Sequence, residues 1–308
     1  EVELRLATLP TAFGEKLVMR IFDPDVLVRD FSELGFGEDE VATWRDMTAH
    51  PNGIILVTGP TGSGKTVTLY STLKELASPE VNVCTLEDPI EMIEPAFNQV
   101  QVVPDISMGF AEGIRALMRQ DPDIIMVGEI RDLQTADMAI QAALTGHLVL
   151  STLHTNDAPS AITRLIDLGV PPYLLAATVV GVMAQRLVRT LCPQCKQPGG
   201  MRVEDEAAWN ALVAPWKSKP PAKIYRPVGC LDCRMTGYKG RVGIYEIMPL
   251  SAELKQLIAT GADLDGLRQQ AMREGVKSLR IAGARKVAAG LTTIEEIMKV
   301  APPANALG

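Results

Sequence analysis

The stretch Gly53-Ile54-Ile55-Leu56-Val57-Thr58-Gly59-Pro60-Thr61-Gly62-Ser63-Gly64-Lys65-Thr66 decides how the chain is read. Its second half has the form G-x-x-x-x-G-K-[ST], the phosphate-binding loop of a nucleoside triphosphatase. Glycines let the backbone wrap tightly and turn its N–H groups onto the β- and γ-phosphates of a nucleotide. Lys65 adds a point charge against the same phosphates, and the Thr66 hydroxyl is placed to ligand Mg²⁺. The flanks supply the required setting. Gly53 to Thr58 is the short, apolar, β-branched run of a buried parallel strand. Leu69, Leu73 and Leu76 recur at helical spacing through 67–77. Strand, loop and helix follow in order, and the helix N-terminus adds its dipole to phosphate binding. The expected ATP-binding set is Gly59, Pro60, Thr61, Gly62, Ser63, Gly64, Lys65 and Thr66.

Downstream, Val81 to Leu86 reads as a second strand ending in Glu87-Asp88-Pro89-Ile90-Glu91. A helix over 110–119 turns Ile114, Leu117 and Met118 inward and sets Arg115 and Arg119 on one face. Ile124 to Val127 is a continuous apolar strand ending at Gly128-Glu129. A helix over 133–144 stops near Gly146, and His147 to Thr152 is another strand, followed by Leu153-His154-Thr155-Asn156. Strands alternating with helices imply an α/β fold, a parallel sheet flanked by helices. Polar residues cluster after the strand ends, where such sheets bind ligands.

The rest of the chain divides around this core, expected to span 31–189. Residues 1–22 read as two extended segments joined at 11–15, the end of a partial N-terminal α+β domain, and 23–30 as a linker. The chain starts without Met, in mid-pattern, and reads as a fragment with no visible signal peptide. A helix over 38–49 leads into the first core strand. After Arg189 the composition changes: 190–245 reads as a four-cysteine module and 246–308 as a helical region. Ser251 and Thr292 are the expected N-caps there, with Gly261, Gly275 and Gly290 as stops.

With 308 residues and 47% hydrophobic content, two full cores are possible. The net charge of −7 argues against sequence-independent nucleic-acid binding by the whole surface. The uncharged stretch Gly169 to Gln185 is too short, and too interrupted by Pro171-Pro172, to span a bilayer.

Hydrolysis needs a metal holder and a group that orients or deprotonates water. The acid ending the buried strand 124–127 is Glu129, long enough to reach Mg²⁺ through water. Glu87 is the expected general base. The reverse assignment is the alternative, and a solvated loop carboxylate is the plainer reading of each. His154 follows a strand expected beside the phosphate loop and is suited to sensing the γ-phosphate; a structural histidine is the alternative. The cysteines read C-x2-C-x34-C-x2-C, as Cys192, Cys195, Cys230 and Cys233. Two close pairs supply four thiolates to a tetrahedral Zn²⁺, a closed structural site. Two disulfides, or free thiols, are the alternatives. Cys84, within an apolar strand, reads as a buried small residue.

Together these motifs resemble the secretion ATPases of type II secretion and type IV pilus assembly. The resemblance rests on Gly59 to Thr66, the acidic box Thr85 to Glu91, Arg119 to Asp123 with Gly128 to Asp132, and Thr145-Gly146-His147 with His154-Thr155-Asn156. The cysteines and Thr236-Gly237-Tyr238-Lys239-Gly240-Arg241 extend it over nearly the whole chain. It implies a RecA-like ATPase in which Glu129 serves the metal. Arg5 and Arg20 then reach the phosphates when the preceding domain closes, and Arg115, Arg119 and Arg241 lie near nucleotide or a subunit boundary. The implied assembly is a homo-hexamer, peripheral on the cytoplasmic face of the inner membrane. Its implied partners are an inner-membrane platform and other assembly proteins, with no nucleic acid. Retraction motors of this family generally lack a four-cysteine module, which disfavours that rival. A DNA-uptake motor and a nucleotide-gated scaffold with little turnover are further rivals; intact Thr66, Glu87 and Glu129 speak against the scaffold. Two departures stand out: Val67 where a second threonine is common, and the long insert between the cysteine pairs, with Trp209 and Trp216.

Overall fold

The computed structural model describes residues 3–22, 29–103, 105, 108–261 and 263–301. The chain opens with a hairpin of β1 (Glu3–Thr11) and β2 (Gly14–Phe22), antiparallel, with Arg5 paired opposite Arg20. The side chains of Arg5 and Arg20 lie outside the described residues, as does most of the expected linker, 23–28. Next come α1 (Phe31–Leu34), α2 (Glu38–Thr48), β3 (Gly53–Thr58), α3 (Lys65–Leu76), β4 (Val83–Glu87) and β5 (Asn98–Gln101). These are followed by α4 (Phe110–Leu117), β6 (Ile124–Val127), α5 (Leu133–Leu144), β7 (Leu148–Leu153), α6 (Ala158–Asp167), α7 (Pro172–Thr178) and β8 (Val179–Leu191).

The cysteine region contributes β9 (Gln197–Gly199), α8 (Val203–Val213) and β10 (Ile224–Arg226). The chain then returns to the sheet as β11 (Tyr238–Pro249) and ends in α9 (Ala252–Ala259), α10 (Leu264–Arg273), α11 (Leu279–Ala288) and α12 (Ile294–Val300). The central sheet has the order β11-β8-β3-β7-β6-β4-β5, with β11 antiparallel to β8 and every other pair parallel.

Alternation along the central strands divides the core into two layers, because successive side chains leave opposite faces. Ile54, Leu56, Leu86, Ile125, Val127 and Val149 face the helices α4 to α7 and the C-terminal helices. Ile55, Val57, Val83, Met126 and Leu150 face α1, α2 and α3, where Trp44 and Tyr70 are fully buried. Each such side chain contributes about 1.5–3 kcal/mol through burial.

The elements expected around the phosphate loop are present, and Cys84 is buried as expected. No element is assigned from sequence at β5, β8 or β11. β5 is polar and half-exposed, so it carries no apolar run. β11 crosses the boundary expected at 245. The helix expected over 110–119 ends at Leu117, so Arg119 lies past it and does not share a helix face with Arg115. Ser251 caps α9 as expected, but Thr293 caps α12; the Thr292 hydroxyl instead donates to the Arg189 carbonyl at 2.8 Å. Among the described residues, no helix is long and apolar enough to cross a membrane.

Candidate active site

Four parallel neighbours, β3, β7, β6 and β4, end on the same edge of the sheet. Their C-terminal extensions deliver Thr61–Thr66, His154, Glu129 and Glu87 to one cleft of about 850 Å³, while Gly59 and Pro60 do not line it. Hydrogen bonds across strand ends fix this edge. Gly128 N donates to Leu86 O at 2.8 Å, Ile130 N to Thr152 O at 3.1 Å, and the Thr152 hydroxyl to Gly128 O at 2.7 Å.

The phosphate loop keeps the glycine logic. Gly59 has φ 154°, and a Cβ there would stand 2.5 Å from Gln185 O. Gly64, at φ 89°, is the N-cap of α3 and offers no side-chain cap to its first N–H groups. The Gln185 side chain, from β8, clamps the turn by donating to Ser63 O at 2.9 Å and accepting from the Thr68 hydroxyl at 2.9 Å. Lys65 Nζ donates to Gly59 O at 2.7 Å, and burial lowers its pKa to about 8. The Ser63 hydroxyl is buried without a partner among the described residues. An orphaned donor beside a capless helix N-terminus suits a polyanionic phosphate group.

Glu129 accepts from Arg131 on one oxygen and lies 3.3 Å from His154 Nε2 through the other. Glu87 is 4% exposed and accepts from Tyr70 at 2.7 Å and Thr85 at 2.6 Å. Arg241 lines the cleft from β11, whereas Arg115 and Arg119 do not line it. His147 sits at the far end of β7, its Nδ1 2.8 Å from Ala142 O, where it closes the end of α5. Sequence reading missed Arg131, Gln185 and Tyr70. Arg131 is two residues from Glu129 and open to inference on that ground; Gln185 lies in an apolar run and Tyr70 on a helix of mixed polarity, and neither carries a local signal.

The long insert folds as the β9–β10 pair with the 11-residue helix α8 between its strands, with Trp209 buried and Trp216 exposed. The four cysteine sulfurs at its ends lie within 4.8 Å of one another, and none is in a disulfide. Sulfur pairs 192–230, 195–233 and 230–233 are 3.9, 3.8 and 3.8 Å apart. A tetrahedron with Zn–S bonds of about 2.3 Å has edges of about 3.8 Å, so the donor set fits zinc. Burial opposes ionisation of Cys233, but N–H donors from Cys230 and Gly237 outweigh it and lower the thiol's pKa.

The family model for type II/IV secretion system proteins matches residues 1–299. The chain is 64% identical over 302 residues to the type IV pilus assembly ATPase TfpB of Acinetobacter baylyi, covering 98% of this chain and 51% of that protein. It is 46% identical over 299 residues to the type II secretion system ATPase E of Vibrio cholerae, covering 97% and 58%. It therefore spans just over half the length of these relatives. Among solved structures it is similar to the pilus retraction motor PilT with bound ADP, at TM-score 0.70 and 26% identity, covering 98% of this chain and 75% of that one. With 299 of its 308 residues matched, the chain belongs to the type II/IV secretion system protein family.

Proposed function

We propose that the chain is the ATP-hydrolysing motor region of a machine that assembles a type IV pilus or the pseudopilus of type II secretion. The observation that carries this reading is the convergence of the phosphate loop, Glu87, Glu129 and His154 on one cleft. Loop N–H groups and Lys65 hold the phosphates of ATP. Thr66 and Glu129 would hold Mg²⁺, which when bound neutralises charge across the β- and γ-phosphates. Glu87 accepts the proton of the attacking water. Arg5, Arg20 and Arg241 offset charge that develops on the transferred group, and His154, 3.3 Å from Glu129, senses the γ-phosphate. Cys192, Cys195, Cys230 and Cys233 would hold Zn²⁺ as a closed structural site.

A homo-hexamer on the cytoplasmic face of the inner membrane, docked on a membrane platform and without nucleic acid, completes the reading. The names of the relatives support the machine, and the higher identity to the pilus ATPase favours the pilus branch. A retraction motor is the second reading, favoured by the likeness to PilT; the cysteine cluster counts against it.

Single-turnover hydrolysis and nucleotide binding test the roles. Lys65→Ala weakens affinity, because the phosphates lose a direct cation. Glu87→Gln keeps ATP binding and lowers kcat by roughly two to four orders of magnitude. Normal turnover in Glu87→Gln, with Glu129→Gln inactive but still metal-competent, reverses the two carboxylates. ATP binding without turnover in the unaltered full-length protein leaves only the scaffold reading.

A further inference from the structure

The carboxylate of Glu87 is held by a three-sided donor set that joins three elements of the fold. On Oε2 it accepts the Tyr70 phenol at 2.7 Å. On Oε1 it accepts the Thr85 hydroxyl at 2.6 Å and Gln99 Nε2 at 3.3 Å. Gln99 Nε2 also reaches Tyr70 Oη at 3.0 Å and Met92 O at 2.9 Å, which ties the phenol to the loop after Glu87. The Tyr70 ring is fully buried against Phe97, edge to face at 5.7 Å. Burial first, and the Glu87 carboxylate second, push the phenol far above its ordinary pKa, so it remains a proton donor.

An ionised carboxylate has about four acceptor directions, two on each oxygen. Thr85 occupies Oε1, and Gln99 approaches the same oxygen at 3.3 Å through a hydrogen it shares with its two nearer acceptors. Among the described residues, Oε2 takes Tyr70 alone, which leaves that oxygen one direction for a further donor. Glu87 also lines the cleft. Tyr70 stands four residues after Thr66 on α3, the spacing that puts both on one helix face.

We propose that Tyr70 is a positioning residue for hydrolysis: it fixes Glu87 so that Oε2 faces the attacking water. It also ties that oxygen to the helix presenting Thr66. This rests on the reading of Glu87 as the base. Thr85 and Gln99 restrain the other oxygen, so rotation of the carboxylate is blocked from both sides. Without the phenol, Oε2 loses its anchor and the geometry of proton abstraction loosens. A misplacement of about 1 Å costs on the order of a hundredfold in rate.

The test is a double-mutant cycle in the full-length protein, with single-turnover rate, ATP affinity and thermal midpoint measured for each variant. Tyr70→Phe keeps the buried ring and is expected to lower kcat by roughly ten- to a hundredfold with ATP affinity unchanged. In a Glu87→Gln background the same substitution should change the rate less than twofold, since there is no base left to position. Thr85→Val should act in the same direction as Tyr70→Phe. If Glu87→Gln is inactive but Tyr70→Phe turns over normally, the positioning role is wrong and the base reading stands. If Glu87→Gln itself turns over normally, the base reading has failed. Equal losses from Tyr70→Phe in both backgrounds would mark the phenol as a purely structural group.

Discussion

His154 Nε2 lies 3.3 Å from Glu129 Oε2, while Arg131 occupies the other oxygen of the same carboxylate. The pair bridges the ends of neighbouring strands β7 and β6 at the cleft. The His154 side chain is about half-exposed and Glu129 is mostly covered, which makes the histidine the movable member. His154→Ala should lower kcat by roughly tenfold, the size of one hydrogen bond, with Mg-ATP affinity held within about twofold. Equilibrium binding and single-turnover rates separate the two effects. An equal loss of affinity would make His154 a binding group instead.

How far the sequence leads depends on range. The phosphate loop is local: strand, turn and helix are adjacent in the chain, so residues 53–77 read directly. Glu87, Glu129 and His154 were legible because each follows a short apolar strand, and parallel strands end on one edge. The cysteines were legible from spacing alone. Tyr70, Gln185 and Glu246 act across the sheet, over sequence separations of 17, 122 and 88 residues in their hydrogen bonds, and no local pattern records such pairings. β8 escaped notice for a related reason. Its apolar run fits a buried helix as well as a strand, and only its place between β3 and β11 decides the matter.

The cysteine cluster joins residues 192–195 to 230–233 across the insert. Cys192→Ser, or chelation, should release zinc and unfold the insert while the nucleotide core survives. Elemental analysis of freshly purified, reduced protein should find one zinc per chain. Proteolysis confined to 190–237 after chelation should leave nucleotide binding intact. Protein prepared under reducing conditions and free of zinc would remove the metal from this cluster.

The hairpin β1–β2 lies upstream of the core, and several described apolar side chains on it, Leu9, Phe13 and Met19 among them, are exposed. Arg5 and Arg20 face each other in its register. If they complete the site, a chain beginning at residue 31 should bind Mg-ATP through Gly59 to Thr66 but turn over far more slowly. Arg20→Ala in the full-length protein should reproduce most of that loss without unfolding. Equal single-turnover rates with and without the hairpin, at matched oligomeric state, would make both ordinary surface arginines.

Glu246, on β11, ties the ATPase core to the C-terminal helices. Its carboxylate accepts from Ala158 N at 2.8 Å and Leu279 N at 3.2 Å, the first residues of α6 and α11. Two helix N-termini favour a negative charge there, yet burial outweighs them. Burial raises the pKa from 4.5 to about 7; the Asp157 carboxylate pushes the same way, while the two N–H donors and Arg268 oppose it. A raised acid binds its proton more tightly in the folded chain than in the unfolded one. Its contribution to stability is therefore fully present below pH 4.5 and is lost as pH rises through about 7. The change across that window is about 3 kcal/mol at most. Glu246→Gln cannot ionise and lacks this dependence. The variant should be less stable than, or equal to, the unaltered chain at pH 5. The comparison should move in its favour by pH 8.5, as read from thermal midpoints in buffers of matched ionic strength. A gap that stays constant from pH 5 to 8.5 would mean that Glu246 is ionised throughout, and that its two helix donors outweigh burial.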